Sequence, residues 1–393
     1  MRNRTRLTMV VIGFAVAVAL TVATGGSAIA DPPSGVTPEP TDIVGVGTGP
    51  TAFLFDQFSV DYNNQSPAGP RFYSWDAVNP ATGRPGDPIV TKAGCPAIPR
   101  PNGTSAGIAA LQRNVPDPVD PAAFCIDYAR SYRVRQSSDP PLAPGGVVFV
   151  DMASDAVTYA TRDASSGGTN APGNLRAGQL KAIYKCLVTN WDQVGGPNAP
   201  IHAFLPQQSS EVRSFFLTAL GGGKTPIKPG ACVSTQGNTL RENQGVSQVL
   251  NDPDAIVPYS VAAYIAQVYH SAACLNSGCT GNPVCVPVAP ENLFGCDQHG
   301  VLGLNEINGT KPLSTWPPPP PPCPQCQINL GFSALFQHFV YTVVRYDETT
   351  PDHIPLALEQ FFGSQGWVCT DSAAVTDIHD YGFHHDCGTP HDR

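Results

Sequence analysis

Three stretches of the chain share one design, in which an apolar strand runs through a polar turn into a helix. The clearest helix begins at Ser209 or Ser210, either of which can cap it, and its apolar residues recur at helical spacing as far as Leu220. Three glycines at 221–223 then stop it. Such helix starts carry free N–H groups that bind anions. We therefore expect one anion-binding cleft where the three helix starts meet.

The other two stretches lie nearer the N-terminus. Residues 42–47 predict a short buried strand, which a turn at 48–51 joins to a helix at 52–62. A second polar and glycine-rich turn, at 101–107, precedes the apolar helical residues 108–112. Strand, turn and helix in this order place backbone N–H groups at the end of a sheet, where an anion can bind.

Strands and helices continue to alternate along the rest of the chain. Strands are expected at 125–133, 145–150, 156–160, 201–205 and 255–260, and helices at 172–184, 243–250, 261–269, 332–345 and 354–362. This alternation predicts an α/β fold with mostly parallel central sheets. A chain of 393 residues suits two lobes or domains better than one.

The N-terminus has the features of an export signal. Arginines at positions 2, 4 and 6 precede an apolar run, and Ala28 and Ala30 fit a cleavage site that would leave Asp31 first in the mature chain. No cysteine lies near the cut, so a lipid anchor is not expected, and the predicted location is secreted or extracellular. Loss of three arginines takes the net charge from −9 to about −12, and an acidic chain with no basic stripe argues against nucleic acid.

All cysteines lie after the predicted cleavage site. Their even number, twelve, predicts disulfides in an exported protein. Neighbours in the sequence suggest the pairs Cys95–Cys125, Cys186–Cys232 and Cys369–Cys387, with the central six pairing among themselves.

A Cys-, Gly- and Pro-rich segment at 271–330 interrupts the regular pattern. It contains six consecutive prolines at 317–322, which suit a stiff spacer or a protein-docking site. The C-terminal stretch is rich in His and Asp, but its spacing matches no compact zinc pattern. No convincing hydrolase constellation is found in the sequence. We expect neither a metal nor a cofactor, and no enzymatic activity.

Several motifs together resemble the phosphate-binding proteins of bacterial phosphate ABC importers, and most of all their secreted actinobacterial relatives. The motifs lie at 42–48, 98–108, 128–133, 179–184 with 190–191, 204–216, 255–260 and 380–388. The resemblance implies a two-lobed periplasmic-binding-protein fold of type II with a ligand cleft between the lobes. The implied organisation is a signal peptide at 1–30, a linker at 31–40, the first lobe at 41–145 and 255–393, and the second lobe at 146–254.

The same resemblance implies which residues bind the ligand. Carried over position by position, the candidate ligand-binding residues are Thr48 and Thr51, which are alternatives for the same position in the first loop, and Thr104, Ser105, Ser131, Arg133, Ser209, Ser210 and Arg213. The family's arginine is absent from its usual place, so Arg213, Arg130 or Arg133 would have to replace it.

Three positions depart from the family pattern. Tyr132 stands where the family has the carboxylate that accepts a proton from phosphate, Glu211 replaces a glycine, and Val212 replaces a threonine hydroxyl. A buried carboxylate beside a divalent anion costs several kcal/mol unless it is paired or protonated. Glu211 therefore either mimics the anion and occupies its site, or points outward without effect.

The resemblance and these departures lead to one expected function and two alternatives. The chain is expected to be a solute-binding protein for phosphate or a related oxyanion with a weakened site, monomeric and served by an ABC importer permease. One alternative is a structural or protein-interaction role on the same scaffold. A weaker one is a secreted, phosphatase-like hydrolase.

Overall fold

The computed structural model describes residues 31–33, 35–66, 69–80, 84–113, 115–270, 298–315, 326–388 and 390–391. The predicted signal peptide and most of the Cys- and Pro-rich segment, including the six prolines, lie outside these residues. No helix in the described ranges combines the length and the apolar character that a membrane crossing requires.

The described elements alternate along the chain, as the sequence pattern predicts. The strands are β1 Ile43–Gly47, β2 Phe72–Ser74, β3 Pro88–Ile89, β4 Ile98–Pro99, β5 Tyr128–Ser131, β6 Val147–Arg162, β7 Asn174–Leu175, β8 His202–Ala203, β9 Ala255–Ser260, β10 Leu302–Leu304, β11 Glu306–Ile307, β12 Gln337–Arg345, β13 His384–His385 and β14 Pro390–His391. The helices are α1 Ala52–Gln65, α2 Thr104–Gln112, α3 Ala177–Tyr184, α4 Glu211–Leu220, α5 Val261–His270, α6 Leu356–Phe362, α7 Trp367–Thr370 and α8 Ser372–Asp380.

One large sheet runs through the molecule in the order β2-β1-β5-β12-β6-β9-β8. The predicted parallel pairing is found at both ends of it, between β1 and its neighbours β2 and β5 and between β8 and β9. Between these ends, β5 pairs with β12, β12 with β6, and β6 with β9, each in the antiparallel direction. The α/β class is therefore confirmed, and the parallel strands end near the starts of the predicted anion-binding helices.

The structure has one strand, β6, where the sequence predicts two separate strands at 145–150 and 156–160. It is a single strand of 16 residues, which pairs with β12 in its first part and with β9 at 157–160. Asp151 and Asp155 interrupt the apolar run of β6. This interruption is why the sequence pattern predicts two strands. The carboxylates do not end the strand, because its pairing with β12 continues through both positions.

The prediction of a helix at 332–345 is wrong. A short 3₁₀ turn at Ala334–Phe336 leads directly into β12, which lies between β5 and β6. Aromatic and β-branched residues dominate the segment from Phe339 to Val344, and such residues suit a pleated surface packed on both sides. Apolar residues in a nearly continuous run fit the helical period as well as the strand, and the neighbouring strands decide between the two.

The prediction of a helix at 243–250 is also wrong, apart from a 3₁₀ turn at Gln248–Leu250. Asn243 has a φ of 53°, in the left-handed region. Its side chain accepts a hydrogen bond from the Ser260 N–H at 2.9 Å, and its carbonyl accepts one from the Tyr259 hydroxyl at 2.8 Å. These bonds to β9 hold the segment in an irregular path along the cleft.

Disulfides join the three pairs predicted from sequence neighbours. Cys95–Cys125, Cys186–Cys232 and Cys369–Cys387 are all formed. Cys326 is also disulfide-bonded, and the other five central cysteines lie outside the described residues.

Candidate functional site

The starts of α2 and α4 and the end of β1 meet at one place. The approach of α2 to β1 is close because both positions at the contact are glycines. A Cβ added to Gly107 would lie 2.8 Å from the Gly47 Cα, so a side chain there would push the helix away. This contact brings the N-terminus of α2 beside the loop that follows β1.

The Glu211 carboxylate lies at this meeting point and points inward. One of its oxygens accepts a hydrogen bond from the Thr48 hydroxyl, and the other accepts one from the Thr104 backbone N–H at 2.8 Å. Burial raises the pKa of Glu211, while the hydrogen bonds from Thr104 and Thr48 and the charge of Arg133 oppose that rise. The side chain thus lies where the sequence predicts an anion at the start of α2, and the outward orientation considered from the sequence is wrong.

A second carboxylate, Glu242, takes the donors at the start of α4. Its Oε2 accepts hydrogen bonds from the Ser210 hydroxyl at 2.7 Å, from the Glu211 N–H at 3.1 Å and from the Val212 N–H at 3.3 Å. Burial and the charge of Glu211 raise the pKa of Glu242 to about 7. Each of the two helix starts is therefore capped by a carboxylate of the chain itself, as the helix dipole favours.

Sequence reasoning missed Glu242. The residue lies in an irregular polar segment, Leu240–Gln244, with no helical or strand period and no motif. Only the fold brings it to α4, about thirty residues upstream, so the sequence contained no signal for it.

Tyr132 does not contribute to the cleft as the family carboxylate would. Its hydroxyl donates to Asp155, which also accepts a hydrogen bond from the Ser260 hydroxyl at 2.6 Å and one from the Ala262 N–H at 3.0 Å. Burial raises the pKa of Asp155 to about 6. The Tyr132 N–H donates to the Thr104 hydroxyl at 2.9 Å, so this residue fixes β5, α2 and α5 relative to one another.

The three arginines that could replace the family's arginine all donate hydrogen bonds to groups of the protein itself. Arg130 is fully buried and donates to the Thr48 carbonyl at 3.1 Å, so it supports the first loop from behind. Arg133 pairs with Asp139 at 2.6 Å and donates to the Ser105 hydroxyl at 3.1 Å. The Arg213 guanidinium donates to the Pro206 carbonyl at 2.8 Å.

The remaining predicted residues have separate environments. Ser131 donates to the Arg133 carbonyl at 2.7 Å, and Ser209 is exposed to solvent. The Thr51 hydroxyl is buried and has no hydrogen-bond partner among the described residues. Hydrogen bonds to Glu211 and Glu242 thus bring Thr48, Thr104 and Ser210 together. No hydrogen bond between described residues links the other predicted residues to either glutamate.

Comparison with known proteins gives a family match and several structural likenesses. The model of the PBP superfamily domain matches residues 72–292. A search of curated protein sequences found no significant match.

The structural likenesses are distant. An ABC-type phosphate transport receptor from Vibrio cholerae is 16% identical over 88% of this chain and 100% of its own, with a TM-score of 0.48. A putative phosphate ABC transporter substrate-binding protein from Clostridium perfringens, with bound phosphate, is 12% identical over 88% and 99%, with a TM-score of 0.45. A phosphate-binding protein from Stenotrophomonas maltophilia is 13% identical over 88% and 90%, with a TM-score of 0.44.

Proposed function

The chain belongs to the PBP superfamily, and from that premise we propose that it is an exported solute-binding protein for phosphate or a related oxyanion. One observation carries the proposal. The Glu211 carboxylate, itself an oxyanion, accepts hydrogen bonds from the Thr48 hydroxyl and the Thr104 N–H. The same donors suit a phosphate oxygen, since hydroxyls and helix N-termini are the groups that bind such anions.

The predicted ligand-binding residues have two roles in this proposal. Thr48 and Thr104 donate directly to the anion once Glu211 has moved out. The other residues that the resemblance implies are proposed to complete the binding site, namely Thr51, Ser105, Ser131, Arg133, Ser209, Ser210 and Arg213. The role is binding and not catalysis, with a monomer as the working unit and an ABC importer permease as its partner.

Affinity for phosphate is expected to be weak. The anion must displace Glu211 and then lie near Glu242, which is held by three hydrogen bonds at the start of α4. If the binding-competent arrangement is a minor one, the apparent dissociation constant rises by the inverse of its population. The internal carboxylate is therefore the direct cause of the weakened site.

A second candidate function follows from the same observation. Glu211 and Glu242 satisfy the donors at α2 and α4 without any external ligand. Such a cleft would suit a structural or protein-interaction role on the binding-protein scaffold, independent of transport.

Calorimetric titration of the oxidised mature chain distinguishes the two functions. Phosphate is the ligand and sulfate the control, and the informative variant is Glu211→Ala. If the cleft is an oxyanion site, the variant is expected to bind phosphate at least about tenfold more tightly than the unchanged chain, because its donors no longer have an internal acceptor.

The matched control is Glu348→Ala, which removes an exposed carboxylate in the loop after β12, and β12 ends beside the start of β5 and not beside its end at Ser131. This control should leave the titration unchanged. Absence of phosphate binding in a folded Glu211→Ala protein would reject the oxyanion proposal in favour of the second candidate.

A further inference from the structure

Asp31, the first residue of the expected mature chain, is held in a fixed place near the end of β2. Its carboxylate accepts two hydrogen bonds from the Arg100 guanidinium, at 2.5 and 2.6 Å, and one from the Asp76 backbone N–H at 2.9 Å. Arg100 is only 4% exposed, and Pro32, the next residue of the chain, is buried. The expected N-terminus is therefore tied down, whereas most chain termini are poorly ordered.

The Asp76 carboxyl group beside it lacks hydrogen-bond partners. The residue is 1% exposed, and neither of its carboxyl oxygens has a partner among the described residues. Burial raises the pKa of Asp76 to about 8, to which the charge of Asp31 contributes, while Arg130 and Arg100 oppose the rise. Asp76 is thus protonated at neutral pH in this arrangement, and its O–H and its second oxygen are still unpaired. Such a buried group costs free energy in either protonation state.

The charged groups around Asp76 can accommodate one more cation. The carboxyl groups of Asp31, Asp56 and Asp76 interact with two guanidinium groups, those of Arg100 and Arg130. With one added positive charge, all three carboxyl groups could be ionised and the group as a whole would be neutral. An ammonium group beside Asp76 would also donate hydrogen bonds to its oxygens.

Cleavage after Ala30 creates a cation at this place. Hydrolysis of the Ala30–Asp31 peptide bond consumes one water, leaves a carboxylate on Ala30 and turns the Asp31 nitrogen into an α-ammonium group. This nitrogen is attached to the same Cα as the side chain that contacts the Asp76 N–H. The new positive charge is therefore formed beside Asp76.

The backbone of Asp31 also favours a free N-terminus. Its φ is 76°, in the left-handed region, and the carbonyl oxygen of the preceding residue is one of the atoms that make this region costly for a residue with a Cβ. Cleavage removes that carbonyl from the chain.

From these observations we propose that Asp76 is the binding site for the mature N-terminus of the chain itself. The α-ammonium group that hydrolysis leaves on Asp31 pairs with the Asp76 carboxylate, which gives up its proton. Arg130, whose charge acts on Asp76, donates to the Thr48 carbonyl. Removal of the signal peptide thus adds a support behind the loop that carries the Thr48 hydroxyl. The inference rests on the export that the proposed function includes, and it does not require phosphate as the ligand.

Two forms of the oxidised protein test the pairing, one beginning at Asp31 and one beginning at Ala30. Both are released from an N-terminal fusion by a protease that leaves no extra residue. The additional alanine displaces the ammonium group by one residue and keeps every side chain of the mature protein. In urea unfolding at pH 7, the unfolding equilibrium constant is expected to be at least about tenfold larger for the form beginning at Ala30. Asp76→Asn should bring the ratio of the two constants to about one, and Glu348→Gln should leave it unchanged.

The reactivity of the α-amine gives a readout that separates the charge pair from simple burial. An acylating reagent near pH 7 modifies α-amines preferentially, because their pKa is about 7.7–8.0 and that of lysine is about 10.4. Pairing with Asp76 keeps the amine protonated, so in the folded form beginning at Asp31 it should react at least about tenfold more slowly than in urea. Asp76→Asn, which keeps the burial, should restore most of the rate.

Three results would overturn the inference. They are equal unfolding constants for the two forms, an α-amine that reacts as fast in the folded protein as in urea, and an exported protein whose mass places its first residue elsewhere than Asp31. The first two comparisons use the unchanged sequence, so they decide even if Asp76→Asn fails to fold. None of them involves phosphate, and the oxyanion function would stand. Conversely, a folded Glu211→Ala chain that binds no phosphate would reject that function and leave the pairing of Asp31 with Asp76 untouched.

Discussion

Glu242 is subject to two effects that act on its ionisation in the same direction. Burial and the neighbouring Glu211 charge raise its pKa from 4.5 to about 7. The native state thus keeps this proton up to about pH 7, whereas the unfolded chain releases it near pH 4.5. The stabilisation from the protonated group is full below pH 4.5 and is lost as the pH rises through 7.

This linkage predicts the behaviour of Glu242→Gln. The amide cannot ionise, so the variant should be more stable than the unchanged chain at pH 8 by about 2–3 kcal/mol, with the difference vanishing near pH 4.5. Urea unfolding at the two pH values measures it. Glu348→Gln, at an exposed position, should show no such pH-dependent difference. An equal stability difference at both pH values would contradict the assigned charge effect.

Tyr132 gives a second prediction for a single residue. Its hydroxyl donates to the buried Asp155, and Tyr132→Phe removes that donor while keeping the ring. The variant should lose about 1–3 kcal/mol of unfolding free energy, because the carboxylate loses one of its hydrogen bonds. Chemical denaturation measures the loss. Tyr346→Phe, on a half-buried hydroxyl beside His353, is the control and should change stability by much less.

At the scale of elements, the position of α2 depends on the glycine contact with β1. In Gly107→Ala the added Cβ would lie 2.8 Å from the Gly47 Cα and 3.3 Å from the Ala129 Cβ. Overpacking of this kind costs about 1–3 kcal/mol and should displace the helix start that carries the Thr104 N–H. Thermal unfolding measures the loss.

The chain offers a matched glycine as the control. Gly178 lies in α3, and a Cβ added there would meet no atom within 4 Å. Gly178→Ala should therefore stabilise the protein by up to about 1 kcal/mol, through helix propensity alone. If the two alanine variants behaved alike, the close contact of α2 with β1 would not be the cause.

Much of the fold could be predicted from the sequence where the signal was local. The helix after β1 and those at α4 and α5 have caps or a clear period, and three disulfides follow from neighbouring cysteines. Strand β12 could not be predicted, because its apolar residues fit the helical and the strand period equally well. Its pairing with β5 and β6 decides that it is a strand. In the site, Thr48, Thr104 and Ser210 follow from the family resemblance, whereas Glu242 depends on a tertiary contact that no local pattern encodes.

At the scale of the whole molecule, Glu211 connects parts of the chain that are far apart in sequence. It begins α4, and its carboxylate is bonded to the loop after β1 and to the start of α2. If these belong to two lobes that close about a hinge, as in other proteins that close around ligands, the side chain holds them together in the absence of a ligand.

This tether predicts an effect on overall dimensions. Small-angle scattering of ligand-free Glu211→Ala should give a larger radius of gyration than that of the unchanged chain, and phosphate should reduce it again. Glu348→Ala should match the unchanged chain. An identical radius of gyration for Glu211→Ala and the unchanged chain would show that the carboxylate does not hold the two sides together.

Because Glu211 is part of the chain, it competes with any solute as an intramolecular ligand. Its effective concentration at the Thr48 and Thr104 donors does not fall on dilution, and for short tethers such concentrations are in the millimolar range. The saturation curve of the proposed ligand is therefore displaced to higher concentrations. The Glu211 carboxylate continues to compete with the bound solute for the same donors. A protein built in this way would fill when its solute is abundant and empty rapidly when it becomes scarce.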